Sequence, residues 1–228
     1  MALVECKKVV KTYDGGAGEV QALKGIDMTV ENGEFMAIAG PSGSGKTTLL
    51  NLIGALDTPT SGTVRVAGND LGGLKSTELS NLRLHNIGFI FQYYNLIPVL
   101  SALENVEFVM LLQGVPSAER EKKAKELLER VGLGELINRR PSDMSGGQQQ
   151  RVAVARAIAS NPELVLADEP TANLDQATGA SLLDLMRELN QNVGTTFIFS
   201  SHDKMVMDRS RRLVILQDGE IKEDQKRD

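Results

Sequence analysis

Residues 40–47 read Gly40-Pro41-Ser42-Gly43-Ser44-Gly45-Lys46-Thr47, and this stretch decides the fold. It fills every fixed position of the pattern G-x-x-x-x-G-K-[ST], between an apolar strand predicted at Phe35–Ala39 and a helix predicted at Thr47–Ala55. Such loops wrap backbone N–H groups around phosphate oxygens, with help from the helix dipole. A chance glycine-rich turn would not need this context. We therefore predict that the chain binds a nucleoside triphosphate, with Lys46 on the β- and γ-phosphates and the Thr47 hydroxyl on Mg²⁺.

Hydrophobic patterns on both sides of this loop predict the rest of the architecture. Apolar and charged positions alternate in a strand-like way over residues 3–13 and 26–30, and the last third of the chain alternates strands and helices. This order predicts right-handed crossovers and a mainly parallel sheet. A mostly helical block from about residue 76 to 160 interrupts the α/β pattern. The polar tail Lys222–Asp228 is expected to fray.

Composition limits the classes of function. The 228 residues include 25 Lys plus Arg and 30 Asp plus Glu, for a net charge of −5, and no Trp. An acidic chain with few aromatic residues is unlike a general nucleic-acid-binding protein, so no nucleic-acid partner is expected. No uncharged apolar run approaches the roughly 20 residues of a membrane-spanning helix. Action at a membrane would therefore be peripheral.

A second motif joins an apolar strand to two carboxylates. Residues 164–169 read Leu-Val-Leu-Ala-Asp-Glu, and an all-apolar strand belongs inside a parallel sheet, with its carboxyl end beside the glycine-rich loop. We predict that Asp168 holds Mg²⁺ and that Glu169 polarises the water attacking the γ-phosphorus. Taken alone, the carboxylates could be an acidic helix cap. Beside Lys46 and Thr47 they favour hydrolysis.

A second anion site is predicted at Ser145-Gly146-Gly147-Gln148, which opens a helix. A serine N-cap followed by two glycines leaves helix-end N–H groups free for an anion. An ordinary cap would explain the serine but not the pair of glycines. Because the first loop already holds one triphosphate, we expect this site to clamp the γ-phosphate bound by another copy. The result would be a two-fold homodimer with two nucleotides between its subunits.

These motifs, in this order, resemble those of the ATP-binding cassette (ABC) ATPases. The run Met144-Ser145-Gly146-Gly147-Gln148-Gln149-Gln150-Arg151 is similar to the signature sequence of that family, with Met144 where leucine is usual, and the resemblance extends from about Leu3 to Ile221. It implies one ABC ATPase domain over residues 1–228, with an α/β, P-loop NTPase (RecA-like) core and a mainly parallel sheet. It also implies an N-terminal antiparallel β subdomain and an inserted α-helical subdomain at approximately 93–158. ATP and Mg²⁺ are the implied cofactors, and ATP hydrolysis is the implied reaction.

The resemblance also assigns positions that spacing alone leaves open. Tyr13 matches the aromatic residue that stacks on adenine, Gln92 the glutamine that senses γ-phosphate and Mg²⁺, and His202 the histidine that contacts γ-phosphate. Each has a simpler alternative: an edge-strand aromatic, the end of a strand, and the cap of a short helix beginning at Asp203. Residues 172–175 match the loop that contacts the opposite subunit.

The expected site therefore has three groups of residues. Catalytic roles are assigned to Lys46, Gln92, Glu169 and His202. Mg²⁺ ligands are Thr47, Gln92 and Asp168. ATP contacts are Tyr13, Gly40, Ser42, Gly43, Ser44, Gly45, Lys46, Thr47, Thr48, Ser145, Gly146, Gly147 and Gln148.

The segment after Gln92 indicates what the hydrolysis drives. Tyr93–Leu100 is rich in apolar residues and contains a proline, so it could be buried core or, where exposed, a docking surface for a permease helix. Residues 91–98 and 166–175 resemble the macrolide-export and lipoprotein-release ATPases. This implies a peripheral subunit on the cytoplasmic face of the inner membrane that drives a separate permease. The alternative is a signalling or cell-division ATPase that controls an extracytoplasmic partner without transporting a solute.

Overall fold

The structure, a computed structural model, describes residues 2–15 and 18–227. Within these residues the strands are β1 Ala2–Gly15, β2 Gly18–Glu31, β3 Phe35–Ala39, β4 Ser61–Val66, β5 Asn69–Asp70, β6 Ile87–Ile90, β7 Leu164–Asp168, β8 Thr196–Ser201, β9 Arg212–Gln217 and β10 Glu220–Lys226. The α-helices are α1 Lys46–Ile53, α2 Ser76–Asn86, α3 Ala102–Leu112, α4 Ser117–Arg130, α5 Gly146–Ile158, α6 Gln176–Val193 and α7 Lys204–Arg209.

The smaller sheet is antiparallel, in the order β2-β1-β4-β5. Along β2, Ile26, Met28 and Val30 are buried while the residues between them are exposed. This alternation is the expected pattern for a sheet with one solvated face. The predicted N-terminal antiparallel sheet is confirmed.

The larger sheet has the order β10-β9-β3-β8-β7-β6, and its members from β9 to β6 run parallel. Every residue of β3 and of β8 is buried, as expected for central strands of a parallel sheet that is covered on both faces. The predicted parallel core is confirmed. Because parallel strands end at the same edge, the segments after β3, β6, β7 and β8 meet there.

Two clusters of core residues cover the two faces of this sheet. Phe35, Ala37 and the other residues of β3 that share their side pack with α5 and α6, while Met36 and Ile38 pack with α1 and the smaller sheet. Successive side chains of a strand point to opposite faces. Helix α5 lies especially close to β6, because a Cβ at Gly88 would be 2.3 Å from the Ala157 carbonyl oxygen.

The C-terminal segment differs from the prediction of a frayed tail. Residues Glu220–Lys226 form β10, paired antiparallel with β9. Arg212 holds this strand in place, with Nη2 2.7 Å from an Asp224 carboxylate oxygen and Nη1 2.8 Å from Glu34 Oε2. A polar tail therefore orders here because its backbone pairs with β9 and its Asp224 carboxylate contacts the buried Arg212 guanidinium.

In the part of the chain that the structure describes, no helix is both long enough and apolar enough to cross a lipid bilayer.

Candidate active site

The glycine-rich loop joins β3 to α1 at the carboxyl edge of the larger sheet. A Cβ at Gly40 would lie 2.0 Å from the Leu216 carbonyl oxygen, and one at Gly45 would lie 2.7 Å from that of Ala22. Neither position accepts a side chain without backbone movement. The loop therefore packs directly on the strands behind it, and glycine is required for that contact.

Lys46 and the start of α1 provide the positive end of the site. Lys46 Nζ donates to the carbonyl oxygens of Gly40 (2.8 Å) and Pro41 (2.9 Å), and the residue is 8% exposed. The N-cap of α1 is Gly45, which has no side chain to occupy the helix N–H groups. Under the loop, Ser44 Oγ is buried without a hydrogen-bond partner among the described residues. The buried Lys46 ammonium, the N–H groups at the start of α1 and the Ser44 hydroxyl are all groups that can bind phosphate oxygens.

Thr47 and Asp168 lie side by side. Thr47 Oγ1 is 3.2 and 3.3 Å from the two carboxylate oxygens of Asp168, the last residue of β7. Gln92 follows the neighbouring strand β6 and lines the same cavity as Thr47. These are oxygen ligands of the kind that Mg²⁺ accepts together with water and phosphate. Over residues 2–15 and 18–227, no group of three or more His, Cys, Asp or Glu could hold a metal by itself.

Glu169 has a constrained geometry next to these groups. Its φ is +45°, in the left-handed region that non-glycine residues seldom adopt, and its N–H donates to the Ser200 carbonyl (2.8 Å). Its Oε1 lies 2.7 Å from His202 Nδ1, and its Oε2 accepts from the Ser201 hydroxyl at 2.9 Å. The structure thus brings Glu169 and His202 together.

One cavity of about 530 Å³ collects most of the predicted residues. Those that line it are Ser42, Gly43, Gly45, Lys46, Thr47, Thr48, Gln92, Glu169 and His202. Gly40 and Ser44 belong to the same loop but are not among the residues that line the cavity. Asp168 does not line it either, but it contacts Thr47, which does.

Tyr13 lies on the smaller sheet, and its ring is held by two charged side chains. Its hydroxyl donates to Asp57 Oδ2 at 2.8 Å, and Lys11 Nζ lies 4.8 Å from the ring centroid while donating to Asp57 Oδ1 at 2.7 Å. Partial burial and the Asp57 contact raise the pKa of the Tyr13 phenol. Partial burial opposes ionisation of Asp57, but hydrogen bonds from Lys11 and Tyr13 outweigh it and lower the pKa of that carboxyl. With Tyr13 39% exposed, part of its ring can still accept a stacked base.

The four residues of the second anion site, Ser145 to Gln148, line a different cavity, which has a volume of about 570 Å³. Ser145 caps α5: its hydroxyl accepts from Gln148 N–H (3.3 Å), and Gln148 Oε1 accepts from Ser145 N–H (2.9 Å). Gly146 and Gly147 line the same opening. Within one chain, therefore, this helix end and the glycine-rich loop do not face a common cavity.

Several contacts around these sites were not predicted from the sequence. Arg156 of α5 donates to the carbonyls of Tyr94 (2.9 Å) and Asn95 (2.5 Å), two consecutive residues with positive φ. Asn173 Nδ2 donates to the Gln92 carbonyl at 2.8 Å. Ser201 contacts Glu169. In the sequence, this contact is indicated locally by no more than the polar pair Ser200 and Ser201 at the end of β8. The other partners are 61 to 81 residues apart in the chain.

Comparison with known proteins identifies the family. The profile of the ABC transporter family matches residues 23–172, which is more than half of the chain. This chain belongs to the ABC transporter family. It is an ABC-type ATPase, and the two sheets, the loop and the strand-end carboxylates described above are those of a nucleotide-binding cassette.

Relatives and solved structures agree with this assignment. A lipoprotein-releasing system ATP-binding protein, LolD 1 of Rhodopseudomonas palustris, is 51% identical over 213 residues, covering 92% of this chain and 94% of its own. The macrolide export ATP-binding/permease protein MacB of Hyphomonas neptunium is 47% identical over 219 residues, which are 96% of this chain and 34% of that protein. The dimeric cassette MJ0796 bound to ADP and Pi has a TM-score of 0.91 at 44% identity, with 98% of both chains covered; that protein is from Methanocaldococcus jannaschii. The resemblance to the lipoprotein-release and macrolide-export branch is confirmed.

Proposed function

We propose that this cassette is the ATP-binding and ATP-hydrolysing subunit of a transporter, and that it closes as a homodimer around two ATP molecules. The observation that carries the proposal is the separation of the two anion sites into different cavities of one chain. A two-fold dimer would place the start of α5 from one copy over the loop of the other. The dimeric state named for MJ0796 supports this arrangement.

In the proposed reaction, each residue group has a defined task. The glycine-rich loop and Lys46 bind the triphosphate, and Ser145–Gly147 of the partner copy would cover its γ-phosphate. Thr47, Gln92 and Asp168 would hold Mg²⁺, which neutralises charge on the phosphates. Glu169 orients and deprotonates the attacking water, and His202 contacts the γ-phosphate.

The partner is a separate membrane permease of the export or lipoprotein-release type, and the cassette works at the cytoplasmic face of that membrane. The names of the LolD and MacB relatives support this, since the MacB chain includes a permease as well as the ATP-binding part. In this proposal, approximately residues 93–158 form the inserted helical subdomain that carries the signature motif, and the permease docks near Tyr93–Leu100. Tyr93 and Val99, at 72% and 68% exposed, are the exposed large hydrophobic residues of Tyr93–Leu100.

A groove next to this segment is the better-formed docking site. Its apolar lining includes Leu56, Phe91, Val109 and Leu112, and it has a volume of about 530 Å³. Leu56 and Leu112, at 49% and 59% exposed, line the same groove and so form one apolar patch rather than isolated exposed residues. An amphipathic helix of the permease would cover them.

This proposal predicts that Leu112→Glu reduces co-purification with the permease by roughly 10-fold, because a charge would have to be buried in an apolar contact. ATP binding should stay at the wild-type level, as α3 is away from the nucleotide cavity. Val193→Glu is the matched control, since Val193 is 56% exposed at the end of α6 and does not line the groove. Equal loss in both variants, or a parallel fall in ATP binding, would contradict the docking assignment. The measurement is pull-down of the permease from its native membrane beside equilibrium ATP binding.

The proposed role of Tyr13 gives a separate prediction. Tyr13→Ala should weaken ATP binding by about 5- to 150-fold, because base–aromatic stacking contributes about 1–3 kcal/mol. Binding of inorganic triphosphate, which has no base, should be unchanged. Tyr93→Ala serves as the control tyrosine, being 72% exposed and outside the nucleotide cavity. If triphosphate binding fell as much as ATP binding, Tyr13 would support the loop rather than the base. Isothermal titration with both ligands distinguishes these outcomes.

A further inference from the structure

We infer that Ser201 is a positioning residue for Glu169, whose carboxylate it holds in place through one hydroxyl proton. The inference rests on the proposed function, in which Glu169 activates the water. It extends that function to Ser201, the last residue of β8, the strand that pairs with β7.

The direction of the hydrogen bond follows from the contacts of the Ser201 hydroxyl. Its oxygen accepts from the Asp203 N–H at 3.1 Å and lies 2.9 Å from Glu169 Oε2. A hydroxyl has a single proton and two acceptor lone pairs. Since the backbone N–H already donates to this oxygen, and an ionised carboxylate only accepts, the serine proton points at Glu169.

The second contact of the hydroxyl is itself fixed. Asp203 caps α7, accepting from Met205 N–H at 2.8 Å, and also accepts from the Thr171 hydroxyl at 3.0 Å. Thr171 lies two residues after Glu169 in the chain. The hydrogen bonds and the main chain between Glu169 and Thr171 therefore form a ring that links this segment to the end of β8. Such a network orders its members more strongly than separate bonds would.

The two neighbours of the Glu169 carboxylate differ in exposure. Ser201 is 0% exposed, whereas the His202 side chain is 71% exposed. Water does not compete for the buried hydrogen bond between Ser201 and Glu169. The exposed His202 side chain, in contrast, can leave Glu169 and contact a bound phosphate instead. Ser201 therefore fixes one carboxylate oxygen, Oε2, while the other, Oε1, contacts the exposed His202 side chain. This also restrains a residue whose backbone is in the left-handed region.

Ser201→Ala should lower kcat by about 10- to 100-fold, the scale expected when a reacting group is misplaced by about 1 Å. The dissociation constant for ATP should remain within about twofold of wild type, because an interaction that acts only on the reacting group does not change ground-state binding. Ser201→Thr keeps the hydroxyl and should recover most of the lost turnover. Thermal denaturation of each variant verifies folding.

Ser200→Ala is the matched control. Ser200 is also fully buried at the end of β8, but its hydroxyl has no hydrogen-bond partner among the described residues. Its main-chain carbonyl is unaffected by the substitution. Turnover of Ser200→Ala should therefore stay near the wild-type value, and a loss equal to that of Ser201→Ala would overturn the inference.

A double-mutant cycle separates positioning from general support of the fold. Ser201→Ala introduced into a Glu169→Gln chain should cause no further loss of turnover, because its effect passes through the carboxylate. Additive loss would overturn the inference. If Glu169→Gln itself kept wild-type turnover, the proposed role of Glu169 would fail instead. Wild-type turnover in Ser201→Ala beside an inactive Glu169→Gln would reject only the role of Ser201. Should Ser201→Ala fail to fold, Ser201→Cys, which is close in size but a weak donor, replaces it in the same cycle.

Discussion

Glu169→Gln should reduce ATP turnover by roughly 10²- to 10⁴-fold, the contribution expected of a general base, while ATP remains bound. The substitution keeps the size of the side chain and its ability to accept from Ser201 Oγ, but it removes the negative charge that is proposed to orient and deprotonate water. Thr47, Asp168 and Lys46 are unchanged, so the proposed contacts to phosphate and Mg²⁺ should persist. Bound ATP that is not hydrolysed should hold the closed dimer together.

Two measurements test this expectation together: single-turnover hydrolysis, and light scattering with and without Mg-ATP. The mass should double on addition of ATP. Lys46→Ala is the contrasting variant, because loss of its charge should weaken ATP binding itself. Near-wild-type turnover of Glu169→Gln would make Glu169 an acidic cap and assign the water to another residue. A mass that never rises, with or without the permease, would count against the dimer.

Gly146→Asp should abolish ATP-dependent dimerisation without preventing a single chain from binding ATP. A Cβ at Gly146 would lie 2.6 Å from the Tyr94 hydroxyl, so the end of that side chain would have to move. In the proposed dimer the added carboxylate would face the γ-phosphate of the partner copy. We expect association to weaken by roughly 100-fold or more, since like charges across an interface cost several kcal/mol. Gly73→Asp is the control, because an added Cβ there meets nothing within 4 Å and its φ is not in the left-handed region.

Mixing two inactive chains makes the second prediction more specific. In a mixed dimer of Gly146→Asp and Lys46→Ala, one composite site contains both changes and the other contains neither. Hydrolysis should therefore reappear in the mixture although neither chain hydrolyses ATP alone. Absence of recovery, or loss of ATP binding by the Gly146→Asp monomer, would show that this helix end serves the nucleotide of its own chain.

Local patterns were sufficient to predict the positions of the glycine-rich loop, of strand β7 and of helix α5. Each of these motifs is a short continuous run of sequence. One is a glycine-rich loop between an apolar strand and a helix, and another is an apolar strand that ends in carboxylates. β10 could not be predicted in this way. Its residues are almost all polar, and what orders them is pairing with β9 together with Arg212, which contacts Glu34 and Asp224.

The supporting residues of the site were hidden for a related reason. Ser201 contacts Glu169 across 32 positions of the chain, and Arg156 reaches Tyr94 across 62. Serine and arginine occur widely on helices and strand ends, so residue type carries no signal without the fold. The loop and strand-end residues that line the cavity were predictable because motif spacing encodes them, whereas the residues that contact them from behind depend on which strands become neighbours.

In the proposed dimer, helix α5 would link two events that occur in different subunits. Its first turn covers, in the proposed dimer, the nucleotide held by the partner copy, while Arg156 near its other end grips the main chain at Tyr94 and Asn95. The 13 residues of α5 form one continuous helix, about 20 Å long at 1.5 Å per residue, so a displacement of its first turn would be transmitted to Arg156. The permease contact of each chain would then report on the phosphate of the opposite chain, and each ATP would act on the permease through the subunit that does not hold it.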